Sequence, residues 1–391
     1  MFTAPLSLTL LVCAIILAAR RPELICNPQF WAEDGACFFF QAWEFGARTL
    51  IEPYAGYLHT TQRIVAAVTV QFDPRWAPTF FVAATMGLTL YVAARTQSSR
   101  FPFRPHVTYA LAITLVPDTF EVLLFLVNVQ WVLAAGFLLL LISSDPRSGW
   151  QYAHDIIAAC ILGLTGPFSV LFLPLFLWRA FQRRTRASFI LAGIVCVSAA
   201  IQVWTIWRNP VGLPVHRIAT ESLLAVPGMR IVGSLFFGTW VPPDYPLVVE
   251  TCLGVFGVVA ITALAVRSDG ARPERIWLGC AFFALLAASL FRCRYVLPDL
   301  CHATYGSRYF FPTQLIFIWL LAAVTADHRR GFARTAACGL LWILAVNTPR
   351  LHESALEDNH WTDHAAKLRT GEGVTVPINP GWSFTVSPRK R

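Results

Sequence analysis

The sequence predicts an all-α polytopic membrane protein, and three observations carry that prediction. Of 391 residues, 56% are hydrophobic and only 14% charged, against about 45–50% and about 25% in ordinary soluble domains. The mean hydropathy is +0.56, so most of the surface is built to face something other than water. The apolar residues also gather into runs of membrane length, divided by short arginine-bearing loops.

The first run, Leu6–Ala19, has no basic segment before it, and Arg20 and Arg21 follow it where a signal peptide would carry small residues. It reads as a retained helix within 5–24. Further candidate spans are 76–95, 188–207, 246–266, 276–291, 308–326 and 332–346. Two regions carry breaks. Pro117, with Asp118 and Glu121, interrupts 105–143, and Gly166-Pro167 interrupts 153–178. If each broken region forms a helix pair, the arginine-bearing turns at 95–104, 143–152, 179–186, 267–275 and 327–334 share one side. The positive-inside rule assigns that side to the cytoplasm. The expectation is a bundle of about 11 transmembrane helices, within a range of about 9–12, with the N-terminus inside and the C-terminus outside. Residues 1–346 then form a transmembrane domain with a first extracytoplasmic loop at about 25–75. Residues 347–391 form a short extracytoplasmic tail.

The net charge of +9 does not indicate nucleic acid, because the basic residues are nearly all arginines scattered over short loops. The ten cysteines show no CxxC and no metal-ligand spacing. Cys26 with Cys37, and Cys293 with Cys301, are pairs that suit disulfides if their loops are extracytoplasmic. No HExxH, Walker A or GxSxG pattern is present, and no soluble nucleotide-binding unit is visible.

The first loop, "NPQFWAEDGACFFFQAWEFGARTLIEPYAGYLHTTQRIVAAVTVQF", holds the most unusual chemistry. Its runs Phe38–Trp43 and Ile64–Phe72 read as interfacial helices lying aromatic face down on the membrane. Glu33 and Asp34 then sit at the boundary of water and lipid. In the plainer reading Asp34 caps a helix starting near Gly35, and Glu33 is solvated. A carboxylate partly desolvated by Trp31 and Phe38 would instead have a raised proton affinity, which suits a general base acting on a hydroxyl.

An acidic pair directly after helix one, together with "WAEDG", "PYAGYLH", "NVQW", "GPFSVLFLPLFLWR", "SRYFFP" and "VPINPGW", resembles the GT-C superfamily of membrane glycosyltransferases. The likeness is to an uncharacterised bacterial branch. It runs along nearly the whole chain, although the soluble C-terminal domain of many members is reduced here to the tail.

The resemblance implies a multi-pass protein of the bacterial plasma membrane with its active site facing outward. It implies transfer of a sugar from a polyprenyl-phosphate donor to a glycan, lipid or protein acceptor, with inversion. Asp34, or Glu33, would be the catalytic base. Arg308, with Tyr309 beside it, would bind the leaving phosphate, with Arg294 next in order. Arg292 is expected to snorkel to headgroups. His59 and Arg63, one helical turn apart, would share a pocket with Tyr57; an interfacial hydrogen-bonding role is the commoner one for a lone histidine in a Tyr-rich turn. Asp118 would reach the sugar. Asn128 and Gln130 either contact substrate or bond between helices. No metal is expected, because the acidic pair has no third acidic ligand near it, although a divalent ion serves some relatives. Two other classes remain open: a lipid-linked saccharide transporter or flippase, and an O-antigen-type polymerase or ligase.

Overall fold

The computed structural model describes residues 5–117, 119–211, 220–238, 246–266, 272–302, 306–325 and 330–388. The chain is mostly helical, at 73%. The principal helices are α1 (Leu6–Arg20), α2 (Phe40–Phe45), α3 (Thr60–Thr69), α4 (Ala77–Thr96), α5 (His106–Leu115), α6 (Val129–Ile142), α7 (Gly149–Gly163) and α8 (Phe168–Arg183). They continue as α9 (Arg186–Arg208), α10 (Ala225–Phe236), α11 (Leu247–Val266), α12 (Arg272–Arg292), α13 (Phe311–Val324), α14 (Arg330–Asn347) and α15 (Trp361–Thr370).

A helix stands at each predicted position, but the expectation of eleven spans is corrected. Among the described residues, four helices are long and apolar enough to cross a membrane: Pro74–Thr96, Arg186–Arg208, Leu247–Val266 and Pro273–Arg292. The reason is visible in α6 and α13. Each has 14 residues, and their side chains are buried almost all round by other helices. A helix wrapped in protein on every side is uniformly apolar, yet it has no lipid thickness to match. Hydropathy alone does not separate it from a span.

Both predicted breaks form. The α5 helix ends at Leu115, and turns carry the chain to Asn128. Gly166, at φ +82°, turns it between α7 and α8. Only a residue without Cβ adopts that φ freely.

The arginine-bearing turns at one end do more than mark a side. Asp155 takes a bidentate pair from Arg100, and Asp145 pairs with Arg179 at 2.7 Å and Arg183 at 3.3 Å. Arg183 also reaches Glu274 at 3.0 Å, tying α8 to α12. Thr185 and Ser148 cap α9 and α7. Residues 267–271 and 326–329, from the two remaining predicted turns, lie outside the described residues.

At the other end the tail folds back over the first loop, with a hairpin that the all-α expectation did not contain. Strands β1 (Val374–Ile378) and β2 (Trp382–Val386) pair antiparallel, and Asn379 bridges to Trp31. A Cβ on Gly35 would meet Ile378, Phe384 and Phe30 at 3.1–3.2 Å, so a glycine there lets the hairpin close. Arg20 and Arg21, both buried, grip the tail: Arg20 pairs with Glu353 at 3.2 Å and Arg21 donates to the Ser354 carbonyl at 2.7 Å. All ten cysteines are free, so neither suggested disulfide forms.

The first predicted interfacial run is instead packed inside the protein. Phe38 and Phe39 are fully buried within the protein. The second element forms at Thr60–Thr69, not 64–72, and turns Thr61, Gln62 and Arg63 inward while Ile64 and Val68 face out. The polar residues have partners inside: Gln62 donates to the Val127 carbonyl at 3.2 Å, and Thr61 meets Thr165 at 2.8 Å. Satisfied polar groups are tolerated in a core, so this helix packs its polar face on the protein and leaves its apolar face outermost.

Candidate active site

A cavity of about 570 Å³ opens between the first loop, the breaks before α6 and α8, and the ends of α9 and α12. One wall is polar and includes Glu33, Tyr57, His59, Asn128, Arg308 and Tyr309. The apolar part of the lining includes Leu171, Ile206, Leu285 and Phe291, from α8, α9 and α12. A second cavity of about 450 Å³ lies under the tail, between Trp31, Phe120 and Trp382. Glu33 and Arg308 line both cavities.

The two neighbouring acids point to different tasks. Asp34 opens a π-helical turn, Asp34–Phe39, and Glu33 is the residue just before it. The Asp34 carboxylate is turned away from both cavities. It accepts the backbone N–H of Leu126 at 3.0 Å and of Val127 at 2.6 Å, and is 3% exposed. Burial pushes its proton affinity well above the usual carboxylate range. Asp34 thus pins the 121–128 turns to the first loop. Glu33 is the member of the pair that reaches the cavities, and the Tyr54 hydroxyl donates to its Oε1 at 2.7 Å.

Arg308 follows Gly306, which takes a left-handed turn at φ +79°, and precedes α13. Its guanidinium pairs with Glu121. Although burial disfavours its charge, the Glu121 carboxylate holds it protonated beyond the ordinary arginine range. Tyr309 lies beneath it, with the ring centroid 5.1 Å away. Arg292, exposed at the end of α12, lines the same cavity.

His59 is buried and stacked on Tyr57, with ring centroids 4.6 Å apart. Its Nδ1 lies 3.2 Å from the Tyr57 carbonyl, which assigns the proton to Nδ1 and leaves Nε2 as an acceptor. Burial lowers its proton affinity to a pKa of about 3 and raises that of Tyr57 to about 12, so both are neutral near pH 7.

Asn128 and Gln130 also line the cavity, and Asn128 donates to the Glu121 carbonyl. Two expected residues lie elsewhere. Arg63 turns from His59 to Gln41 Oε1 at 2.7 Å and the Glu52 carbonyl at 3.1 Å. Arg294 is half-buried and folds onto Phe291 and Tyr295, donating to the Phe291 carbonyl at 2.7 Å. Asp118 lies outside the described residues.

Three site residues were not singled out from sequence. Tyr54 stood unassigned in the "PYAGYLH" connector. Trp131 stood in the quoted "NVQW" stretch without a role of its own, yet it lines the cavity and meets Tyr309 edge-on at 5.4 Å. Gln202, fully buried in the middle of α9, accepts Leu58 N–H and donates to the Gly166 carbonyl, both at 2.9 Å. A lone polar residue in a span is itself a signal, and this one staples the connector to the helix break. Among the described residues, no group of three or more His, Cys, Asp or Glu is arranged to hold a metal.

No protein-family model matches the chain, and comparison with curated proteins gives no match.

Proposed function

We propose that the protein is a membrane glycosyltransferase that takes a sugar from a polyprenyl-phosphate donor and passes it to a hydroxyl acceptor. The reading rests chiefly on one observation: Glu33 and Arg308 stand together on the wall shared by an apolar-sided cavity and a second, solvent-rimmed one. Two substrates of opposite polarity can then meet across a single acid and a single cation.

The prenyl chain would lie along the apolar wall of α8, α9 and α12, and its phosphate would face Arg308 and Arg292. Arginine suits this because its fork binds phosphate and keeps its charge. Tyr54 holds one oxygen of Glu33, which leaves the other for the acceptor hydroxyl. Glu33 accepts that proton as the acceptor oxygen attacks the anomeric carbon. The bond from this carbon to the phosphate oxygen breaks, its electron pair stays with the phosphate, and the arginines stabilise the charge. The face carrying the site is outward in this reading, since the arginine-bearing turns lie at the opposite end.

The test is transfer from a radiolabelled polyprenyl-phosphate sugar by the purified full-length protein in lipid vesicles. Glu33→Gln should lower transfer about 10²–10⁴-fold with an unchanged melting temperature. Full activity in a folded Glu33→Gln protein removes Glu33 as the base.

A further inference from the structure

The cavity beneath the tail carries an inference that rests on the glycosyl-transfer reading and narrows its acceptor. We infer that this cavity binds a saccharide, so that the acceptor is a glycan whose ring stacks on Trp382.

The argument begins with strand alternation. Residues two apart on a strand share a face, so Trp382 points to the same side as Phe384 and Val386. Those two are buried, at 6% and 2% exposed, whereas Trp382 is 47% exposed. Its cross-strand partner Ile378 is also buried, at 2%. Trp382 is therefore an inward-facing aromatic at the one register position where the protein beneath the hairpin is hollow. It forms part of the cavity wall. The uncovered half of the indole offers the cavity a flat apolar surface with a polar N–H at its edge.

The rest of the lining specifies what covers it. Opposite Trp382 stand the carboxylates of Glu33 and Glu121 and the guanidinium of Arg308. A pyranose has an apolar face of C–H groups that fits an indole, and a rim of adjacent hydroxyls that fits carboxylate and guanidinium pairs. A lipid chain would cover the Glu33, Glu121 and Arg308 side chains with groups that offer them no hydrogen bonds. A peptide adding to the tail would need free backbone groups, but Asn379 already gives its N–H to Phe30 and its carbonyl to Ala32. The rim residues Ser354, Ala355 and Pro380 are exposed, which admits a polar polymer from solvent. Glu33, which lines both cavities, then meets the hydroxyl of the terminal sugar.

The experiment uses the full-length protein in detergent, fluorescently labelled and applied to an array of defined oligosaccharides of hexoses, pentoses and amino sugars, beside an array of unglycosylated peptides. The expected result is retention on a subset of the saccharides. Trp382→Ala should weaken it at least about tenfold, as for an aromatic anchor, and Trp382→Phe should restore most of it. Because Trp382 is half exposed, the alanine variant keeps the fold, which its melting curve checks. Retention on peptides alone, on no saccharide, or on saccharides with Trp382→Ala unchanged would overturn the inference. The two readings fail separately: a fully active Glu33→Gln protein removes the base while Trp382-dependent retention stands, and loss of retention leaves the Glu33 result untouched.

Discussion

Tyr54 donates its hydroxyl to Glu33 at 2.7 Å across 21 residues of the first loop. The bond fixes the orientation of a carboxylate whose neighbours in sequence give it no other side-chain donor. Burial and the nearby Glu33 carboxylate keep the phenol protonated well above its ordinary range, so the donor is present at every physiological pH. Tyr54→Phe should therefore lower kcat about 10–100-fold, the value of one hydrogen bond to a charged group, with donor KM little changed. Steady-state kinetics across donor concentration separates the two, and an effect on KM alone would contradict an orienting role.

Asp34 and Glu33 should fail in different ways when replaced. Asp34→Ala strips two buried amides of their acceptor at Leu126 and Val127, at about 1–3 kcal/mol each. A melting temperature several degrees lower is expected, measured by thermal unfolding in detergent. Glu33→Gln should melt with the wild type. Equal stability of both variants would refute the pinning role of Asp34.

His59 predicts a pH dependence. Its folded pKa is depressed to about 3 from an ordinary 6.5, so the unfolded state binds the proton first on acidification. Stability should be full above pH 6.5 and fall below it, by about 1.4 kcal/mol per pH unit until the folded pKa is reached. His59→Gln should flatten this slope. Melting temperatures between pH 7 and pH 4.5 give the comparison, and parallel slopes would exclude His59 as the source.

Arg20 and Glu353 join the end of α1 to the tail across 333 residues, with Arg20 almost wholly buried. Removing one partner of such a pair costs about 3–5 kcal/mol. Arg20→Ala should release the tail, read as early cleavage near Glu353 in limited proteolysis. Cleavage at the wild-type rate would show that the hairpin holds without this pair.

The sequence made legible what depends on local chemistry. Pro117 and Gly166-Pro167 broke helices where proline and glycine must, and the polar run at 25–75 proved to wall the candidate site. What escaped it depends on which surface a helix meets. The α6 and α13 helices are apolar because protein surrounds them, and α3 hides its polar face because Val127 and Thr165 wait there with partners. Neither surrounding can be read from hydropathy. That Asp34 meets the Leu126 and Val127 amides while its neighbour Glu33 lines the cavities depends on tertiary packing that no short motif carries. Trp382 lay inside a quoted motif, but its role needed the register of the hairpin and the hollow beneath it.

The wall shared by the two cavities has a consequence for the direction of matter. Glu33 and Arg308 are common to both; in the proposed reaction the donor's side is the cavity lined by Leu171 and Phe291, and the acceptor's side is the one that opens through Ser354 and Pro380. Fragments produced at that wall would sort by solubility, the prenyl phosphate back to the bilayer and the lengthened polymer to water. Each turnover would thus move a sugar from one phase to another, with no gate and no separate source of energy.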